Sequence, residues 1–288
     1  MSIEVKNVTC IYMPHTPFEQ VALKNVSLTI PKGSFTAIAG HTGSGKSTLV
    51  QHLNGLITPT SGEVLVDGVN IGDKSKTGRQ QAQKARQQVG MVFQYAENQL
   101  FEETIAADIA FGPLNQELPE AEVDKRVREA MDIVGLDYEL YHGRSPFALS
   151  GGQMRRAAIA GVLAMKPEYL VLDEPAAGLD PLGREELLLQ IKRLHQQHNM
   201  TIVMVSHNME DIAKLADNVI IMYNGKVAAQ GSPREVFAEE ALLKQAGLRP
   251  PQIATVMKRL AAAGLPVNTA VLTPEEGLQA LLEVFHAK

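Results

Sequence analysis

The sequence predicts an α/β fold, and three observations carry that expectation. Short apolar runs at 35–39, 169–172, 201–206 and 218–223 alternate with helical stretches such as 184–197. The segment Gly40-His41-Thr42-Gly43-Ser44-Gly45-Lys46-Ser47-Thr48 joins the first of those runs to a helical run at 49–53. The opening ninety or so residues read instead as strands with tight turns. Continuous apolar runs suit parallel strands covered on both faces by helices, as in βα architecture.

The elements follow in order. β-type runs at 3–8, 26–30 and 63–66 are punctuated by Pro31-Lys32-Gly33, Thr60-Ser61-Gly62 and Asp67-Gly68. From about residue 104 to 165 the pattern is helical, with Val123, Val127, Ala130 and Met131 on one face. Asn224-Gly225 fits a type I′ hairpin turn after the last apolar run. Beyond residue 230, Ser232-Pro233-Arg234-Glu235 and Thr273-Pro274-Glu275-Glu276 both read as helix starts, with N-cap, first-turn proline and glutamate at the third position. Ile253, Val256, Met257 and Leu260 repeat at helical spacing, as do Leu278, Leu281, Leu282 and Phe285. The expected division is a main domain over 1–230 and a small helical appendix over 231–288, which either packs on its own domain or forms a subunit interface.

Composition narrows the classes. The 288 residues carry 27 Lys plus Arg against 32 Asp plus Glu, a formal charge of −5, which argues against a nucleic-acid partner. Cys10 is the one cysteine, so a disulfide within the chain and a cysteine metal cluster are excluded and a reducing compartment is expected. The first ten residues show no secretory pattern, and the uncharged stretch 260–274 is short and broken by Gly, Pro and Asn, so no segment is expected to span a bilayer. The eight histidines show no metal-ligand constellation, and His195 and His198 read as exposed. The basic run Lys74, Lys76, Arg79, Lys84 and Arg86 reads as a solvated helix or loop, with anionic headgroups as the alternative.

The segment 40–48 is the GxxxxGK[ST] phosphate-loop pattern, set between strand and helix. Its glycines let successive N–H groups converge on phosphate oxygens at the positive end of a helix. Lys46 is expected to place a compact cation between the β- and γ-phosphates, and the Ser47 hydroxyl to ligate Mg²⁺. Four apolar residues starting at Tyr169 end in Asp173 and Glu174, carboxylates costly to place at a buried strand end unless cations or water await them. Asp173 is the expected holder of the Mg²⁺ shell and Glu174 the expected general base.

Leu149-Ser150-Gly151-Gly152-Gln153 opens a further helical run. With the phosphate loop, Gln94, Asp173-Glu174, Gly178-Leu179-Asp180 and His207 in that order, it closely resembles the ATP-binding-cassette ATPases over roughly residues 1 to 230. The resemblance implies a P-loop NTPase core with an N-terminal antiparallel β-subdomain and a helical subdomain at about 95–165 carrying the signature motif. It implies a head-to-tail dimer with ATP sandwiched between one subunit's phosphate loop and the partner's Leu149–Gln153 signature. Within it, His207 would hold the γ-phosphate, Gln94 would sense Mg²⁺ and the attacking water, and Asp180 would join the two sites. Tyr12 is either an ordinary strand aromatic or the platform for adenine.

Two stretches are more specific. Gln94-Tyr95-Ala96-Glu97-Asn98-Gln99-Leu100-Phe101 and Asp108-Ile109-Ala110-Phe111-Gly112-Pro113 resemble the glutamine-loop segment of energy-coupling-factor transporter ATPases. The run from Tyr12 to Glu19 and the arginines after the signature resemble the A-prime type, one of two ATPases that pair as a heterodimer. The resemblance implies a peripheral subunit on the cytoplasmic face of the cell membrane. A membrane scaffold would dock on the 94–113 face, and a substrate-binding membrane subunit would be driven indirectly. Glu97, Glu102, Glu103 and Asp108 are acids that could meet an arginine of that scaffold, or simply a solvated face. Ala176 departs from the family's usual Thr or Ser. The rivals are the ATPase of another importer type and a soluble cassette acting on DNA or ribosomes.

Overall fold

The computed structural model describes residues 1–286. Along the chain run β1 (Ser2–Tyr12), β2 (Gln20–Pro31), β3 (Phe35–Ala39), α1 (Lys46–Leu53), β4 (Ser61–Val66), β5 (Val69–Asn70), α2 (Arg79–Gln87) and β6 (Val89–Val92). Four helices follow, α3 (Ile105–Asn115), α4 (Glu120–Ile133), α5 (Tyr138–Tyr141) and α6 (Gly151–Leu163). Then come β7 (Tyr169–Asp173), α7 (Pro181–His198), β8 (Thr201–Val205), α8 (Met209–Leu215), β9 (Asn218–Tyr223) and β10 (Lys226–Gly231). The chain ends in α9 (Pro233–Ala238), α10 (Glu240–Gln245), α11 (Gln252–Ala262) and α12 (Pro274–His286).

Two sheets result. The first is antiparallel in the order β2-β1-β4-β5, and the second runs β10-β9-β3-β8-β7-β6 with only β10 antiparallel. Every residue of β3, β7 and β8 is buried, as apolar runs covered on both faces require. Within β7 the side chains alternate: Leu170 and Leu172 pack toward the helices α3, α4, α6 and α7, while Tyr169 and Val171 face α1 and the antiparallel sheet. That second core takes its other wall from Ile3, Val5, Val8 and Leu23, the inward residues of the first sheet.

The turns fall where the residue chemistry puts them. Asn224 (φ 49°) and Gly225 (φ 75°) give the type I′ hairpin between β9 and β10. Ser232 and Glu235 form a complete capping box at α9, and the Thr273 hydroxyl accepts the Glu276 N–H at 3.3 Å to start α12.

The segment after β10 divides in two. Val236 and Phe237 of α9, Leu243 of α10 and Ala246 just after it pack on Ala37, Ala39, Val219 and Ile221, so these helices cover one face of the central sheet. Only α11 and α12 close on a cluster of their own, around Met257, Val267, Val271 and Ala280. His195 also departs from expectation. It is half-buried, edge-on to Phe35 with ring centroids 5.6 Å apart, and its Nδ1 lies 2.9 Å from the Met200 carbonyl. His198 is exposed as expected.

Candidate nucleotide site

The phosphate loop is shaped by close backbone approach. β3 ends at Ala39, and a Cβ on Gly40 would stand 2.4 Å from the Met222 carbonyl oxygen and 2.5 Å from Ser44 Oγ. Gly45, at φ 102°, starts α1, and a Cβ there would meet the Ala22 carbonyl oxygen at 2.8 Å. At Gly40 and Gly45 the loop therefore has room for backbone only against β9 and β2, whereas a Cβ on Gly43 would meet open space.

Inside this turn Lys46 Nζ donates to the carbonyls of Gly40 (2.9 Å) and His41 (3.1 Å). Burial pushes the Lys46 ammonium below its ordinary pKa, against the opposing pull of Glu174 and Asp173. His41 Nδ1 lies 2.6 Å from the Thr42 carbonyl, and its ring meets Tyr223 edge-on. Thr42, Gly43 and Ser47 are exposed at the mouth, whereas Ser44 Oγ is buried without a hydrogen-bond partner among the described residues.

A cleft of about 580 Å³ opens over the loop, lined among others by Tyr12, Thr42, Lys46, Thr48, Gln94 and Glu174. The Tyr12 hydroxyl lies 3.2 Å from Thr48 Oγ1, which fixes the ring at the rim. At the end of β7, burial pushes the Asp173 carboxyl above its ordinary pKa, and the nearby Glu174 charge adds to this. A hydrogen bond from Ser47 and the charge of Lys46 act the other way. Glu174 leaves the strand in the left-handed region (φ 49°), which directs its carboxylate into the cleft. Gln94 Nε2 donates to Glu174 Oε2 at 3.4 Å, and His207 Nδ1 lies 3.4 Å from the same oxygen.

The signature residues stand apart from this cleft. Leu149 is buried, Ser150 caps α6, and the Ser150 and Gln153 side chains exchange bonds with each other's backbone N–H. Gln153 Nε2 also donates to the Tyr141 hydroxyl at 3.1 Å. Gly151 and Gly152 face open space, for a Cβ on either would meet no atom within 4 Å. Asp180 caps α7, its carboxylate accepting from the amides of Leu182 and Gly183.

The 94–113 segment bounds a separate groove of about 610 Å³, lined by Leu100, Phe101, Phe111, Gly112 and Met165 among others. Phe101 and Phe111 are exposed and meet edge-on, centroids 5.0 Å apart. Two of the four acids offered by the sequence for an external arginine are already engaged. Glu97 is gripped by Arg155 of the same chain, and Asp108 accepts the amides of Phe101 and Glu102. Glu103 remains exposed. Sequence reasoning missed Arg155, because nothing in the helical pattern of 151–163 separates it from its exposed-looking neighbour Arg156.

The sequence profile of the ABC transporter family matches residues 23–177. The energy-coupling factor transporter ATP-binding protein EcfA2 of Clostridium perfringens is 53% identical over 284 residues, 99% of this chain and 98% of that protein. Its counterpart in Clostridium tetani is 52% identical over 288 residues, 100% of this chain and 99% of that protein. The chain belongs to the energy-coupling factor transporter ATP-binding proteins. It is an ABC ATPase, and its ATP hydrolysis is coupled to transport. The solved structure of CbiO1 from Clostridium perfringens, part of the ABC transporter complex CbiONQ, superposes with a TM-score of 0.73 at 39% identity, covering 89% of this chain and 98% of that one. The dimeric ATP-binding cassette MJ0796 bound to ADP and Pi gives 0.70 at 31% identity, covering 80% of this chain and 98% of that one. Among the described residues no helix is long and apolar enough to cross a membrane.

Proposed function

We propose that this cassette pairs head-to-tail with a second, similar ATPase beneath a membrane scaffold, at the cytoplasmic face of the cell membrane. There it powers uptake of vitamins or trace nutrients through a separate substrate-binding membrane subunit. ATP occupies the cleft above residues 40–48, with Tyr12 under the adenine and Lys46 on the phosphates. Release of Lys46 from the Gly40 and His41 carbonyls toward the nucleotide offsets the burial of its charge. The second ATPase supplies its signature residues to this nucleotide, and Ser150 with the amides of Gly151 and Gly152 serves the partner's in return. Asp180, at the start of α7, lies at the contact between the two sites.

A magnesium ion fits the donor set. Ser47 and Asp173 present hydrogen-bonded oxygens, and the raised pKa of Asp173 reflects a desolvated carboxylate that a cation would relieve. Among the described residues there is no group of three or more His, Cys, Asp or Glu able to hold a metal, so phosphate oxygens and water would complete the shell, with Gln94 nearby. When bound, the ion would neutralise charge on the phosphate oxygens.

Glu174 polarises the attacking water, and Gln94 and His207 orient its carboxylate. The observation that carries this reading is that their nitrogens share Glu174 Oε2, at 3.4 Å each, on the cleft wall facing Lys46. Glu174→Gln removes the base and keeps the shape. Turnover is expected to fall about 10³-fold, with ATP retained and a closed dimer accumulating by light scattering. Near-normal turnover would overturn the assignment. Co-purification from membranes with a second cassette and a membrane scaffold tests the assembly, and recovery with nucleic acid instead would sink it.

A further inference from the structure

The ion pair between the buried Arg155 and the partly exposed Glu97 has no part in the chemistry above. Arg155 lies in the second turn of α6 and is 1% exposed. Its five N–H donors have five bonds: Nε to Glu97 Oε2 (3.0 Å), Nη2 to Glu97 Oε1 (2.7 Å) and Oε2 (2.8 Å), and Nη1 to the carbonyls of Pro175 (2.8 Å) and Ala177 (2.6 Å). The carboxylate belongs to the turn at Ala96–Gln99, just after Gln94. The two carbonyls belong to the loop that leaves Glu174 and arrives at Asp180.

A guanidinium is a costly way to pin a helix, because an apolar side chain of similar volume needs no desolvation. What it supplies is a rigid planar fork that holds two other segments in fixed directions. Both segments need holding. Tyr95 (φ 58°) and Glu174 (φ 49°) enter the left-handed region without being glycine, a conformation that persists only where surrounding contacts impose it. The two loops also touch, since the Tyr95 ring lies 3.9 Å from where a Cβ on Gly178 would stand.

We infer that Arg155 is a positioning residue that couples the two loops. Displacement of the turn at Ala96–Gln99 moves Glu97, the guanidinium follows, and the carbonyls of Pro175 and Ala177 carry the motion to Glu174 and Asp180. This rests on the reading of the 94–113 segment as the face on which the membrane scaffold docks.

The test compares wild type, Arg155→Lys and Glu97→Gln as cassettes alone and as complexes purified with their membrane subunits. Lysine keeps the charge but cannot reach a carboxylate and two carbonyls in one plane, and glutamine at 97 leaves both carbonyl bonds intact. Amide hydrogen exchange and ATP turnover are read on each. In wild type, assembly protects residues 95–113 and alters exchange over 174–180. In both variants the first change stays and the second is lost, with ATP turnover of the complex about tenfold lower and ATP affinity within about twofold of wild type. If the variants carry the 174–180 change like wild type, Arg155 is a structural staple and the inference fails alone. If assembly leaves 95–113 of wild type unprotected, the docking reading fails and takes the inference with it. Should Arg155→Lys not fold, Glu97→Gln decides.

Discussion

The two glycine-containing motifs of this cassette, residues 40–48 and 149–153, are built on opposite terms. In the first, glycines are demanded by the chain itself: Gly40 faces the Met222 carbonyl and Ser44, and Gly45 faces the Ala22 carbonyl. The lysine is folded inward on its own loop, and the Ser44 hydroxyl is buried without a hydrogen-bond partner among the described residues. In the second, the helix start is capped by its own Ser150 and Gln153, yet among the described residues nothing lies where a methyl group on Gly151 or Gly152 would touch it. Internal packing explains Gly40 and Gly45, and a left-handed φ of 79° explains Gly43, whereas neither accounts for Gly151 and Gly152. The phosphate loop is packed against its own chain at Gly40 and Gly45, whereas the signature glycines face open space.

The substitution that tests the first half hardest is Gly40→Ala. The new methyl group overlaps a backbone oxygen fixed in β9, at a φ of 157° that favours glycine. Overpacking and backbone strain together should cost about 3–4 kcal/mol of stability. The check is chemical denaturation beside nucleotide titration, with ATP binding lost as well. A variant of wild-type stability would mean that the loop is looser than its packing implies, and the contrast would collapse.

The second half is tested by the matching change at Gly151 and Gly152. Alanine is the better helix former and meets open space at either position, so the melting temperature should hold or rise slightly. ATP affinity of the isolated chain should also hold. Turnover by the assembled pair should nevertheless drop about 100-fold, because a methyl group at either position would hold the partner's nucleotide away from the amides, an effect on the scale of a lost oxyanion donor. Intact turnover would show that these glycines serve no partner.

The same contrast governs what could be read from sequence. The phosphate loop, Asp173-Glu174 and the Asn224-Gly225 hairpin are local: each is a fixed residue pattern between two elements of fixed type, and each is found where its chemistry puts it. Features that depend on distant residues were not legible. The strand β6 is four residues long and has no alternation or flanking turn to mark it, and only its register against β7 makes it a strand. Arg155 bonds across 58 residues to Glu97 and across 20 and 22 to the loop after Glu174, so its burial is a property of the tertiary fold. The helices α9 and α10 carry apolar faces in sequence, but nothing local says that the central sheet is what they cover.

The smallest expected effect separates stability from function within the first half. Burial raises the Asp173 pKa in the folded chain above its ordinary value, so the carboxylate present near neutral pH disfavours folding. A carboxyl whose folded pKa is raised loses stability as pH climbs through the window between the unfolded and folded values. Asp173→Asn removes the charge, keeps the size, and should stabilise the nucleotide-free chain at about pH 7 by roughly 1 kcal/mol. The gain should shrink as pH falls and the wild-type carboxyl takes up a proton, which thermal melts across a pH series would follow. Hydrolysis should be lost in the same variant, because an amide cannot offset a cation's charge. A melting temperature below wild type at every pH would show that the hydrogen bond from Ser47 outweighs the burial of the charge, and Asp173 would then be a structural anchor of the loop before it is a ligand.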